Sequence, residues 1–182
     1  MEELFSKVLD DDEKIVKVYK PNKTKLFIST FVSYTLAMAF FVIVSIFGIL
    51  FDSETDTNPI FVLVPIGIYV AVMLVVFALT HIYYKNVYFA YSNKRIIIRT
   101  GIFGIDYKSL DMSMIGVVDV YVSLIDKIVK KNTGSVTFGS AASPVVEGKY
   151  SSAYKFGHIE MPYETCKEIK SYIAEYKKSI SK

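Results

Sequence analysis

The residues able to do chemistry are few and scattered. Two histidines, His81 and His158, and one cysteine, Cys166, are the only imidazole and thiol groups among 182 residues. One cysteine excludes an internal disulfide, and three such groups fall short of a structural zinc site. His158 follows Gly157 in a predicted strand and reads as a structural or surface residue. His81 stands where an apolar run ends and reads as interfacial. Cys166 falls on an apolar helical stripe, where an unpaired thiol packs as a small hydrophobe. Asp106, Asp111 and Asp119 alternate outward on predicted strands, without a pairing that would set up acid–base work. The segment Thr100–Gly104, "TGIFG", lacks the spacing and the following helix of a phosphate loop. An enzyme needs a nucleophile beside a base, or clustered ligands. The expectation is therefore no catalytic residues, no metal, no cofactor and no enzyme activity.

One constellation remains: Lys94, Arg95 and Arg99 within "YSNKRIIIRTGIFG", Tyr91 to Gly104. The period is two, so Arg95, Ile97 and Arg99 share one face while Ile96, Ile98 and Thr100 share the other. Two readings stand. In one, the three cations contact an anionic lipid surface, each contributing roughly 1 kcal/mol. In the other they are structural, fixing membrane topology and pairing with Asp106 or Asp111 on the next strand. The lipid-surface reading puts the outward face of this strand towards a bilayer.

The elements that must position this set begin with two uncharged runs. Residues 26–51, "LFISTFVSYTLAMAFFVIVSIFGILF", make a helix about 39 Å long, against the roughly 30 Å of a hydrocarbon core. Residues 59–84 form a second run without Asp, Glu, Lys or Arg, with Pro59 and Pro65 in its first part. A second span argues against a cleaved signal peptide. Composition agrees, with 52% hydrophobic residues and a mean hydropathy of +0.37. The linking "DSETDTN" is acidic, while lysines 14, 17, 20, 23 and 25 precede the first span and Lys85, Lys94, Arg95 and Arg99 follow the second. The positive-inside rule then places both termini in the cytoplasm of a multi-pass cell-membrane protein. Small residues every fourth position, Ser29, Ser33 and Ala37 against Gly67 and Ala71, predict close packing of the two spans. Neither span carries a central ionisable group, as a proton or ion path would need. A net charge of +3 is too small to indicate nucleic acid.

After Tyr84 the period becomes two. Short strands are predicted over "NVYFAY", "RIIIRT", Asp106–Met114, "GVVDVYVS", "SVTFGSA", and one or two more around Glu147-Gly148-Lys149. "LIDKIVKKNTG" breaks the alternation with a helical turn. From Pro162 to Lys178 the apolar positions Cys166, Ile169, Ile173 and Tyr176 form one stripe of an amphipathic helix. Upstream, "MEELFSKVL" has one apolar side that lies on a membrane or docks on the domain, and "KIVKVYK" reads as an edge strand. The boundaries are 1–25 for a cytoplasmic N-terminal segment, 26–84 for a transmembrane hairpin, and 85–182 for the folded domain.

The order of these signals resembles one family, the bacterial pleckstrin-homology-like (bPH, YdbS- and YdbT-like) membrane proteins. It is carried by "DDDEKIVKVYKPNK", the pair of spans, "YFAYSNKRIIIRTGIFG", "KSLDMSMIGVVDVYVS", "TGSVTF" and the closing "HIEMPYETCKEIKSYI". The likeness covers nearly the whole chain. Members carry Gly-x-Gly before the fifth strand, where this chain has Lys131-Asn132-Thr133-Gly134. The resemblance implies a membrane protein whose two-helix hairpin is followed by a PH-like antiparallel β-barrel of about seven strands, capped by a C-terminal helix. It implies no catalytic activity. Eukaryotic domains of this fold often bind phosphoinositide head groups with basic residues near the first hairpin, a place comparable to Lys94, Arg95 and Arg99.

The expected function is a non-catalytic interaction module anchored on the cytoplasmic face. Its partners would be the lipid bilayer, other proteins or a second copy of itself, with no nucleic acid. The alternative is an oligomer forming a pore or a small-ligand translocation path. The absence of a polar stripe along either span weighs against that alternative.

Overall fold

The computed structural model describes residues 2–51, 60–129, 132–140 and 154–180. The chain divides into two compact units. The first comprises Leu26–Ile82 and is helical; the second joins Met1–Lys25 to Tyr83–Lys182. The acidic link at 52–58, Pro59 and the turn at Glu147-Gly148-Lys149 lie outside the described residues.

Helices α1 (Lys23–Phe51) and α2 (Ile60–Asn86, with Pro65 inside it) supply the helical unit. Their facing residues follow one line of i, i+4 positions. Phe27 and Phe31 meet the Phe77 ring edge-on at 5.5 and 6.1 Å, and Thr35 Oγ1 lies 3.3 Å from Tyr69 Oη. The predicted small-residue interface is not the one formed. Ser33, Ala37, Gly67 and Ala71 are exposed, because large ring–ring contacts one stripe away set the packing. Thr30, Ser45 and Thr80 donate to the carbonyl four residues back, so these hydroxyls need no water.

The second unit holds seven strands among the described residues. One antiparallel sheet runs β1 (Ile15–Tyr19), β2 (Tyr88–Ser92), β3 (Arg95–Thr100), β4 (Asp106–Asp111) in that order. A second runs β5 (Val117–Tyr121), β6 (Thr133–Gly139), β7 (Tyr154–Glu160). The expected closed barrel is therefore corrected to two separate sheets, with no ladder joining them among the described residues. The break has a local cause. The strand predicted to reach Met114 stops at Asp111 and gives way to a 3-10 turn, Met112–Met114, that buries Met112. "KIVKVYK" does supply an edge strand, with Val18 opposite Ala90 and Tyr19 opposite Phe89.

Aromatic rings fill the core shared by the sheets and the last helix. Phe89 of the first sheet stacks on Phe156 of the second at 5.1 Å, and Phe138 meets Phe156 edge-on at 4.8 Å. Helix α4 (Pro162–Ile180) adds Cys166, Ile169 and Ile173, as its stripe predicts. Gly134 is required where it stands: a Cβ there would lie 2.9 Å from both the Tyr121 carbonyl and Pro162 Cγ. Opposite it β7 bulges. Gly134 pairs with Ile159 and Val136 with Phe156, so Ser135 faces two residues, and His158 takes a left-handed φ of 55°.

A smaller core lies on the other face of β2 and β3. Phe5, Ala90 and Ile97 are buried together, with Leu4, Val8, Leu9 and Tyr107 around them. The N-terminal stretch thus docks on the sheet. The face of β3 read as outward is roofed by protein.

Candidate functional site

The tight turn Ser92–Arg95 presents the basic set, and the acidic lead residues 10–14 close over it. Ser92 Oγ accepts the backbone N–H groups of Lys94 and Arg95, which fixes the turn. Asn93 is held from both sides. Its Oδ1 accepts the Lys14 N–H at 2.9 Å, and its amide donates to the Asp12 carbonyl. Glu13, buried although charged, accepts Arg95 Nη2 at 2.7 Å, Arg95 Nε at 3.1 Å, the Asp10 N–H and Ser92 Oγ. Burial pushes the Glu13 carboxyl up, but the hydrogen bonds from Arg95, Ser92 and the Asp10 N–H outweigh it and leave it below the usual range. Arg95 also donates to the Val8 carbonyl at 2.7 Å, tying the guanidinium to the N-terminal stretch.

The three predicted site residues therefore have different surroundings. Lys94 pairs with Asp12 and, at 3.6 Å, with Asp10; it remains partly open to solvent. Arg95 stands opposite Asp111 in the ladder, yet its hydrogen bonds go to Glu13 and not to Asp111. Arg99 is 8% exposed. Its Nη1 donates to the carbonyl of Asn86, the last residue of α2, at 2.9 Å, and its guanidinium lies 5.5 Å from the Tyr88 ring. Asn86 in turn donates to the Gly101 carbonyl at 3.1 Å. A cation on the last carbonyls of a helix also satisfies the macrodipole. Asp111 acts on Arg95 through its charge across the ladder, while the hydrogen bonds of Arg95 go to Glu13 and Val8.

A second charged centre lies beyond the predicted residues. Lys25, fully buried, meets Asp126 Oδ1 at 2.8 Å and donates to Ser123 Oγ at 3.2 Å. Asn22 caps α1 by accepting the Lys25 N–H. Asp126 also accepts Thr133 Oγ1 at 2.7 Å and the Ser123 N–H at 2.8 Å. Ser123 and Asp126 cap each other across the start of helix α3 (Leu124–Val129), since Ser123 Oγ accepts the Asp126 N–H. Burial pushes Asp126 up, and Lys25, Ser123 and Thr133 bring it below the usual carboxylate range. Nearby, burial and then the charges of Lys155 and Lys25 push His158 down to about 4, so the ring is neutral at pH 7. Ser-x-x-Asp ahead of an apolar pair was the readable signal for this cap. The partnership with Lys25, 101 positions away, left no local trace.

Elsewhere the surface tyrosines collect cations. Lys20 Nζ lies 4.5 Å from the Tyr84 ring and 4.4 Å from that of Tyr88, and Lys23 lies 6.0 Å from Tyr84. Cys166 is buried, and burial raises its thiol pKa. Among the described residues, no three His, Cys, Asp or Glu side chains are grouped to hold a metal ion.

Comparison with known sequences follows the same outline. The sequence model of the family described as "Bacterial PH domain" matches residues 30–177. No curated protein and no solved structure matches the chain.

Proposed function

The chain belongs to the bacterial PH domain family, and on that premise we propose that it is a non-catalytic interaction module held at the membrane by α1 and α2. The observation that carries the anchoring is the surface of those helices. Leu36, Phe40 and Leu74 are each about two-thirds exposed or more, and the windows that qualify as spans, Lys23–Gly48 and Leu63–Asn86, turn almost nothing inward. Water does not tolerate such a surface, whereas lipid does. The charge bias of the flanking segments supports two spans with both termini in the cytoplasm. The hydroxyls facing each other at Thr35 and Tyr69 bond to one another, which favours a packed hairpin over an ion path.

The partners are proteins or a second copy of the chain. Leu124 and Ile128 of α3 are three-quarters exposed and offer an apolar contact on the folded unit. Anionic-surface contact by Lys94, Arg95 and Arg99 belongs to this reading mainly through Lys94, the member left most open. Asp10 and Asp12 beside it weaken that contact.

Two measurements test the proposal. Alkaline extraction of membranes should leave the full chain in the pellet; release into the supernatant removes the anchoring. Photo-crosslinkers at Leu124 and Ile128, in native membranes, should each capture the same protein or a second copy. Adducts with neither would end the interaction reading of that surface.

A further inference from the structure

The turn between β3 and β4 is an apolar tip that stays exposed among the described residues. Phe103 is 93% exposed, and Ile102 and Ile105 beside it are exposed as well. Closure of the turn depends on one glycine. Gly101 sits at φ 147°, and a Cβ there would fall 1.7 Å from the Gly104 carbonyl oxygen, so only glycine closes it. A water-facing hairpin of this kind takes polar residues at its apex, and this one holds Ile and Phe there.

Its position is defined by the end of α2. Asn86, the final residue of that helix, donates to the Gly101 carbonyl at the base of the tip, and Arg99 donates to the Asn86 carbonyl. Both bonds lie within one compact unit. Cations gather on the same helix end: Lys85 is exposed in its last turn, and Lys20 and Lys23 lie against Tyr84 and Tyr88. The carboxylate nearest in sequence is Asp106, opposite Thr100. Tyrosine rings and lysines at a helix exit are the furniture of a bilayer interface, and lysines there attract anionic head groups.

We propose that Ile102 and Phe103 insert into the interfacial layer of the bilayer that α2 leaves, with Lys20, Lys23 and Lys85 at head-group level. This rests on the anchoring proposed above. The tip then acts as a third attachment point that fixes how the sheets stand on the membrane.

The test uses the full chain in phosphatidylcholine vesicles containing phosphatidylglycerol. Nitroxide labels are placed at Phe103→Cys, at Leu36→Cys in α1 and at Ala174→Cys on the exposed side of α4. The unsubstituted chain, with Cys166 buried, is the blank for label uptake. Collisions with oxygen, which partitions into lipid, are compared with those with a water-soluble nickel chelate. The Leu36 and Phe103 labels should favour oxygen several-fold over the Ala174 label. A Phe103 label that matches Ala174 while Leu36 stays in lipid overturns the insertion and leaves the anchoring intact. A Leu36 label that favours the chelate overturns both.

Discussion

Arg95 turns its charge inward on to the buried Glu13, while Lys94 pairs with Asp10 and Asp12 at the surface, two partners that the local sequence of the turn does not show. Two groups outside that set make sharper predictions. His158 is neutral when folded, and its folded pKa of about 4 lies below the ordinary 6.5. Above pH 6.5 neither state binds the proton, and the histidine adds no pH dependence. As pH falls from 6.5 towards 4, the unfolded chain takes up the proton and the folded chain does not, so stability falls. Denaturant midpoints at pH 7 and pH 5 should differ in the native chain and differ less in His158→Asn. Asparagine suits the left-handed backbone at that position. Asp126→Ala strands Lys25 as a buried charge without its counter-ion and should cost about 3–5 kcal/mol. The double substitution Lys25→Met, Asp126→Leu should recover most of that loss in the same unfolding assay.

Among the elements, those with a local period were readable and those made by distant contact were not. The two long apolar helices were legible from uncharged length, the β2–β3 hairpin from a period of 2 and the stripe of α4 from a period of 3.6, and each element forms where its pattern put it. The early end of β4 did not show, because burial of Met112 overrides an alternation that continues to Met114. The roof over Ile97 did not show either. A short apolar stretch at the N-terminus carries no address, and its place depends on Phe5 reaching a strand 90 positions later. Phe5→Ala should therefore destabilise the second unit by about 3–5 kcal/mol. It should also raise amide exchange in β1 and β3 before β5–β7, measured by hydrogen exchange on the full chain. Protection lost equally in both sheets would contradict a cover specific to the first.

At the scale of the molecule, the family and the order of elements were legible, while closure of the sheets was not. A barrel and a pair of sheets share the same alternation, and only the ladder partners tell them apart. Topology is the prediction at this scale. Ser53→Cys should react with an impermeant thiol reagent on intact cells, and a cysteine placed at Ser181 should not; the reverse pattern inverts the orientation. The pairing of β1 with β2 has one more consequence, for the order of synthesis. β1 is made before the two apolar helices and its partner after them, with Tyr19 and Phe89 seventy positions apart. A newborn chain must thus hold an unzipped edge strand while the hairpin leaves the ribosome, against a loop-closure cost of about 4 kcal/mol. The first sheet is completed only once both helices have been delivered, so its assembly reports that delivery is finished.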